Sequence, residues 1–173
     1  RARWTGGTGE RPSATARAIS WALLGATGVL IVTGTLVTGS GPHAGDSSDV
    51  PRMGFDWTTI TIVHGVSAFL VLAFVVALAF RLRTEPGGRL ALTRIGFFLF
   101  ALLLQMALGV VQSFIGLPEV LVAAHVVLAA MVWVGALRVV LDTDPRLFAV
   151  RDSHLDVDNA SEPRVPVGTR ASL

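Results

Sequence analysis

The sequence of 173 residues contains no cysteine, no tyrosine and no lysine. Without cysteine the chain can form neither a disulfide framework nor a thiolate metal site, so a metal or cofactor must be held by histidine, carboxylate or backbone groups. Only 15% of the residues are charged while 52% are hydrophobic, which is too apolar for a soluble domain of this size. The composition therefore indicates a membrane protein.

The basic side chains are all arginines, and the formal net charge is only +2. The high sequence pI, about 10.9, follows from this composition, because no lysine or tyrosine titrates below arginine. It is therefore not a sign of nucleic-acid binding, and we predict no nucleic-acid partner. The positions of the arginines carry more information than their number.

Four uncharged apolar runs dominate the sequence. Each has about the 20 residues that a helix needs to cross a hydrocarbon layer of roughly 30 Å. The strands of a β-barrel are half as long, and a soluble bundle would need a polar face on every helix. The sequence therefore predicts an all-α integral membrane protein, a four-transmembrane-helix up-down bundle surrounded by membrane lipid. The predicted spans are Ala18 to Thr38, Trp57 to Phe80, Ile95 to Ile115 and Val120 to Leu137.

These runs predict a membrane domain over residues 18–141, a cytoplasmic N-terminal segment or linker over 1–17, and a disordered cytoplasmic tail over 142–173. Thirteen of the 14 arginines lie on the side of the two termini, and only Arg52 lies elsewhere. The positive-inside rule then places both termini in the cytoplasm. We expect the protein to lie in the plasma membrane of the cell. Because the chain begins with Arg1 and has no signal peptide, we expect a fragment of a longer protein.

Two of the four histidines, His64 and His125, lie inside predicted membrane helices, where ionisable side chains are costly and often functional. Each follows the start of its helix by six or seven residues, so both lie roughly 9 to 10 Å below the same end of the bundle. The second and fourth helices run parallel and can face each other across the core. Two neutral imidazoles at one level match the axial ligands of a six-coordinate heme iron. Small neighbours leave space for a porphyrin: Gly65, Ser67, Ala68, Ala123, Ala124 and Ala129.

The spacing alone leaves other interpretations open. The two histidines could form a structural pair with Thr61, Gln105 or Gln112, or belong to a proton or ion route. A zinc site is disfavoured, since it needs three or four ligands and no carboxylate shares this layer. The two glutamines, seven residues apart on one face, could reach a cofactor edge or tie helices together.

Smaller features complete the prediction. Asp56 is expected to cap the second helix, and Gly116 with Pro118 to turn the chain into the fourth. In the outer loop, Arg52 or His43 is expected to reach heme propionates, because arginine pairs with carboxylates; a solvated loop is the alternative. The helix threonines are expected to bond to their own backbone and the first-helix glycines to allow close helix contact. These residues are Thr33, Thr35, Thr38, Gly25, Gly28 and Gly34.

The sequence resembles the C-terminal half of heme A synthase, a cytochrome oxidase assembly family. The resemblance rests on GTLVTGSGPHAGD from Gly34 to Asp46, the following PR, the mid-helix His64, and LGVVQSFIGLPEVLVAAH ending at His125. It covers roughly Ile19 to Leu141, and the two motifs occur in the expected order.

The resemblance implies two four-helix halves, each with a histidine pair, which together oxidise the methyl group of heme O to the formyl group of heme A. It implies that His64 and His125 ligate a heme b that relays electrons, while an N-terminal half, or a second copy, completes the enzyme. This chain alone would then be part of an oxidoreductase without its substrate site. The alternative is a single-heme membrane b-type cytochrome subunit that passes electrons between quinone and a partner.

Overall fold

The computed structural model describes residues 12–41, 51–85, 89–144 and 146–147. These residues form four α-helices: α1 (Ala14–Ser40), α2 (Trp57–Arg83), α3 (Arg89–Phe114) and α4 (Glu119–Thr143). All four are long and apolar enough to cross a membrane, and the described segments contain no strand. The predicted four-helix membrane fold is confirmed, and the chain is a multi-pass membrane protein.

Some helices extend beyond the predicted apolar runs, and at the start of α1 a capping hydrogen bond accounts for the extension. The Ser13 hydroxyl accepts from the Ala16 amide at 3.1 Å, so α1 begins before Arg17. Asp56 caps α2 as predicted, accepting from the Thr59 amide at 2.7 Å. At the C-terminal end of the bundle, α4 continues through Thr143, past the predicted end of the span at Leu137 and into the predicted tail. Beyond Thr143 the structure describes only Asp144, Arg146 and Leu147 of that tail.

The connection between α3 and α4 is the predicted tight turn. Gly116 has a φ of 84° and Leu117 a φ of 57°, and the Leu117 amide donates to the Gln112 carbonyl at 2.8 Å. A six-to-one bond around a glycine in the left-handed region is the Schellman end of a helix. The turn reverses the chain within the four residues between α3 and α4 and brings α4 alongside α3. Residues 86–88, between α2 and α3, lie outside the described residues.

The four helices form a ring in chain order. α1 packs on α2 and α4, and α3 packs on the same two helices. Because consecutive helices run antiparallel, α2 and α4 run parallel to each other at opposite corners of the ring. This is the up-down arrangement that the sequence predicts, and it places the two intramembrane histidines on diagonal helices.

The hairpin α1–α2 and the hairpin α3–α4 bury equivalent positions. Buried residues of α1 are paired with buried residues of α3 that lie a fixed number of residues later in the sequence. Buried residues of α2 are paired with those of α4 in the same way, at a second fixed spacing. The pairs are Ser20 with Ile95, Leu23 with Phe98, Thr27 with Leu102, Leu30 with Gln105, Val71 with Val132, Val75 with Ala136, Leu78 with Val139, and Leu82 with Thr143. The bundle is therefore an internal two-fold repeat about its long axis, which the sequence shows only as two similar hairpins.

Buried side chains concentrate in one half of the bundle. In α2 they begin at Val71 and in α4 at Val132, and they continue to the C-terminal ends of both helices. Between the start of each of these two helices and those residues, every side chain keeps part of its surface exposed. We call this half, where α2 and α4 begin, the histidine end; no side chain of α2 or α4 is fully buried there.

The opposite end is closed by polar contacts. The Thr143 hydroxyl donates to Ser20 Oγ at 2.6 Å, and Asp144, only 2% exposed, accepts from Trp21 Nε1 at 3.0 Å. Arg146 bonds to the same carboxylate at 2.9 Å. Hydrogen bonds from Arg146 and then Trp21 hold the pKa of Asp144 well below its ordinary value. These contacts tie the start of α1 to the end of α4.

Candidate functional site

His64 is fixed on α2 by contacts with α1. Its Nδ1 lies 3.2 Å from the carbonyl oxygen of Leu30 and 3.2 Å from the hydroxyl of Thr33. The Thr33 hydroxyl itself donates to the Leu30 carbonyl at 3.0 Å. An Nδ1–H that donates to a backbone carbonyl leaves the Nε2 lone pair available for a metal.

His125 occupies the equivalent position on α4 but has different partners. The amide of Gln105, on α3, donates to the His125 backbone carbonyl at 2.9 Å. The His125 ring nitrogen Nδ1 and the Gln105 oxygen Oε1 are both buried without a hydrogen-bond partner among the described residues. The His125 imidazole therefore lies at the position equivalent to that of His64, but no hydrogen bond from the described residues orients its Nδ1.

A glycine faces each imidazole across the hairpin. A Cβ built on Gly34 would lie 3.0 Å from His64 Cε1, and one built on Gly109 would lie 3.0 Å from His125 Cε1. Carbon atoms in ordinary contact are about 3.5 to 4.0 Å apart, so neither position accepts a side chain without displacement of the ring. The two glycines correspond in the internal repeat, as do the two histidines.

The histidines also match in depth. α2 begins at Trp57 and α4 at Glu119, so the helical rise of 1.5 Å per residue puts the imidazoles about 10 and 9 Å from the ends of their helices. Both side chains are half-buried and lie in the histidine end. The structure thus places two equivalent imidazoles on parallel, diagonal helices, at a level where α2 and α4 have no fully buried side chain.

Several predicted contacts are confirmed and others are wrong. Thr33, Thr35 and Thr38 bond to their own backbone as predicted, although Thr33 also reaches His64. Thr61 bonds to the Trp57 carbonyl and not to a histidine. Gln105 meets the backbone of His125 rather than its ring. Close contact holds for Gly34 and, more loosely, for Gly28 with Trp133 at 3.8 Å.

The expectation for Gly25 is wrong, because nothing lies within 4 Å of a Cβ built there. A glycine pattern along a helix does not show which glycines face a neighbouring helix, since that depends on the rotation of the helix about its axis.

Arg52 is half-buried and lies at the histidine end. The following amide, that of Met53, donates to the Gly39 carbonyl at 3.0 Å and ties this segment to the last turns of α1. His43, the other residue expected near propionates, lies outside the described residues. The role of both toward a heme stays a prediction.

Sequence reasoning missed Leu30 and Gly109 as parts of the site. Leu30 contributes only its backbone carbonyl, which no side-chain pattern reports. Gly109 had a detectable signal, because it precedes Ser113 as Gly34 precedes Thr38, and each hydroxyl donates to the carbonyl of its glycine, at 2.8 and 3.2 Å respectively.

Across the segments described above, no three His, Asp or Glu side chains come together as a metal-ion site. A heme iron takes only its axial ligands from the protein, so a pair of histidines is a sufficient donor set for heme. Both imidazoles, two facing glycines and an orphaned Nδ1 fit that group. The chain matches no protein-family model, no curated protein and no solved structure.

Proposed function

We propose that this chain binds one heme b between His64 and His125 and serves as the electron-relay half of a heme A synthase. The observation that carries the proposal is the pair of equivalent imidazoles, each set against a glycine, at one level of the bundle. A purely structural pair of histidines would not need two matched glycines.

The fixed tautomer of His64 supports the same proposal. Because its Nδ1 is engaged with the Leu30 carbonyl, the nitrogen left for coordination is Nε2, the usual arrangement of a metal-bound histidine with a second-shell acceptor. When bound, a heme with two histidine ligands supplies one-electron transfer between its ferric and ferrous forms and has no open position for substrate. The chain's own contribution is to hold two imidazoles and surround the macrocycle with apolar walls.

The wider assignment follows the resemblance to heme A synthase. A second four-helix unit, either an N-terminal half or another copy of this chain, would hold heme O and carry out the oxidation of its methyl group, in support of cytochrome c oxidase assembly. Arg52 and His43 would lie toward the heme propionates on the outer side of the plasma membrane, with both termini in the cytoplasm.

The proposal is tested with the full chain purified in lipid nanodiscs. We expect a b-type optical spectrum with bis-histidine ligation, lost in His64→Ala and in His125→Ala but retained in His154→Ala, a control outside the described residues. Helix content by circular dichroism checks that the variants fold. A heme-free wild-type protein, or one whose heme is five-coordinate, would contradict the proposal.

A second measurement separates the heme A synthase assignment from the single-heme cytochrome. Membranes of cells that express the complete reading frame are extracted for heme. Heme A or hydroxylated heme O that depends on His64 and His125 supports the synthase. A bis-histidine heme with neither product supports the cytochrome subunit instead.

A further inference from the structure

The two histidines are equivalent in the repeat but are not held in the same way. His64 Nδ1 has two oxygen atoms at 3.2 Å, those of Leu30 and Thr33. In the second hairpin the residue corresponding to Thr33 is Leu108, which has no hydroxyl. The Nδ1 of His125 is buried without a partner among the described residues, so the second histidine lacks the orienting bond of the first.

At the position that corresponds to Leu30, the second hairpin carries Gln105. Its side chain is 8% exposed, and its amide nitrogen is anchored on the His125 backbone carbonyl at 2.9 Å. Its Oε1 is buried with no partner in the described part of the chain. One turn further along α3, a Cβ built on Gly109 would lie 3.0 Å from Cε1 of the His125 ring, so α3 faces His125 at both positions.

A buried acceptor and a buried ring nitrogen that both lack a partner, on two residues already hydrogen-bonded to each other, cost free energy that one hydrogen bond between them would recover. We infer that Gln105 is the positioning residue of His125: its Oε1 accepts the Nδ1–H of the imidazole when Nε2 coordinates the heme iron. The Gln105 side chain already reaches residue 125, because its amide donates to the His125 backbone carbonyl.

This inference rests on the proposed heme and adds an asymmetry to it. His64 is oriented by a backbone carbonyl, which substitution cannot remove, whereas His125 is oriented by a side chain, which can be changed. An acceptor on Nδ1 makes an imidazole a stronger donor and stabilises the ferric iron relative to the ferrous iron. Gln105 is thus the residue through which this chain sets the potential of its heme.

The test compares three variants of the full chain in nanodiscs. Gln105→Leu places at this position the residue that the first hairpin carries and removes the acceptor. Gln105→Glu keeps an oxygen acceptor of the same length, and a neutral carboxyl also keeps a donor for the His125 carbonyl. Gln112→Leu is the matched control, because it removes another α3 amide whose Oε1 is also buried without a partner among the described residues.

We expect Gln105→Leu to retain heme about tenfold less tightly, the lower end of the range for loss of a second-shell partner. If the tenfold loss falls on the ferric form, the midpoint potential rises by about 59 mV for a one-electron couple. Ferrous heme in this variant should also bind carbon monoxide more readily, because the His125 bond is weaker. Gln105→Glu should keep a midpoint potential at or below that of the wild type. Gln112→Leu should have the wild-type midpoint potential.

A wild-type spectrum and potential in Gln105→Leu would overturn the inference while leaving the bis-histidine heme in place. An equal shift in Gln112→Leu would also overturn it, because the effect would then reflect general polarity of α3. A heme-free wild-type protein would overturn both this inference and the proposed function. If Gln105→Leu does not fold, Gln105→Met has nearly the length of the native side chain and carries the same expectations.

Discussion

Replacement of Gly109 by alanine tests the idea that glycines set the positions of the imidazoles. The added Cβ would lie 3.0 Å from His125 Cε1 and 3.6 Å from Nδ1. Ordinary contact requires about 3.5 to 4.0 Å between carbon atoms, so the ring must move by roughly half an ångström or more. In the heme-free protein it can rotate away, and alanine gains up to about 1 kcal/mol of helix propensity over glycine. The heme-free protein should therefore be as stable as the wild type or slightly more so.

With heme bound as proposed, the overlap between the added methyl group and the imidazole should weaken heme binding, because coordination to the iron would hold the imidazole in place. Overpacking of this kind typically costs about 1 to 3 kcal/mol, which corresponds to roughly a 5- to 150-fold loss of heme affinity. Gly34→Ala should behave in the same way through His64, whose Cε1 also lies 3.0 Å from the built Cβ.

The assay is transfer of heme to an excess of a soluble heme acceptor, followed by absorbance, together with thermal unfolding of the heme-free protein. Gly96→Ala is the matched control, because it lies on the same helix and nothing is within 4 Å of its built Cβ. Equal heme retention in Gly109→Ala and Gly96→Ala would refute the reasoning. A heme-free Gly109→Ala protein that unfolds far below the wild type would also refute it, since the clash would then not depend on the heme.

Two further predictions concern the ends of the bundle. Arg52→Ala should shift the heme midpoint potential or lower heme occupancy, because loss of a guanidinium near the propionates removes a charge-assisted bond. Arg83→Ala, at the far end of α2 from the histidine end, is the control. Unchanged potential and occupancy of Arg52→Ala in redox titration would argue against that role. Asp144 has a pKa below its usual 3.8 through hydrogen bonds from Arg146 and Trp21, so its contribution to stability is present above about pH 4 and lost as the pH falls further. Asp144→Asn should lower the unfolding temperature at pH 7 and weaken its acid dependence, and equal curves for both proteins from pH 3 to 7 would contradict this.

The sequence predicted the parts of the fold that depend on length and composition. Four runs of about 20 apolar residues determine the number of helices, and the antiparallel order of consecutive helices puts His64 and His125 at one level. The ends of the helices were less predictable, because Ser13 extends α1 past Arg17 by a single capping bond. Such a bond depends on local backbone geometry, which a hydropathy pattern does not contain.

The surroundings of the histidines could be predicted only in part. Depth follows from counting residues, but the partner of a ring nitrogen depends on how each helix is rotated about its axis. This is why Thr61 was named as a possible partner of the histidines while the carbonyl of Leu30, on the neighbouring helix, was not. The glycines of α1 show the same limit: Gly25 and Gly34 carry the same expectation of close helix contact, and only a Cβ built on Gly34 would meet an imidazole.

The internal two-fold repeat has a consequence for any flat ring held between its halves. Half a turn about the long axis exchanges the hairpins, and for a protoporphyrin with both carboxylates pointing along that axis it exchanges the two sides of the macrocycle. A perfectly repeated bundle would bind the protoporphyrin in either of these two orientations with equal free energy. Only the residues that break the repeat, such as Thr33 against Leu108 and Leu30 against Gln105, can make one of the two insertions the more stable.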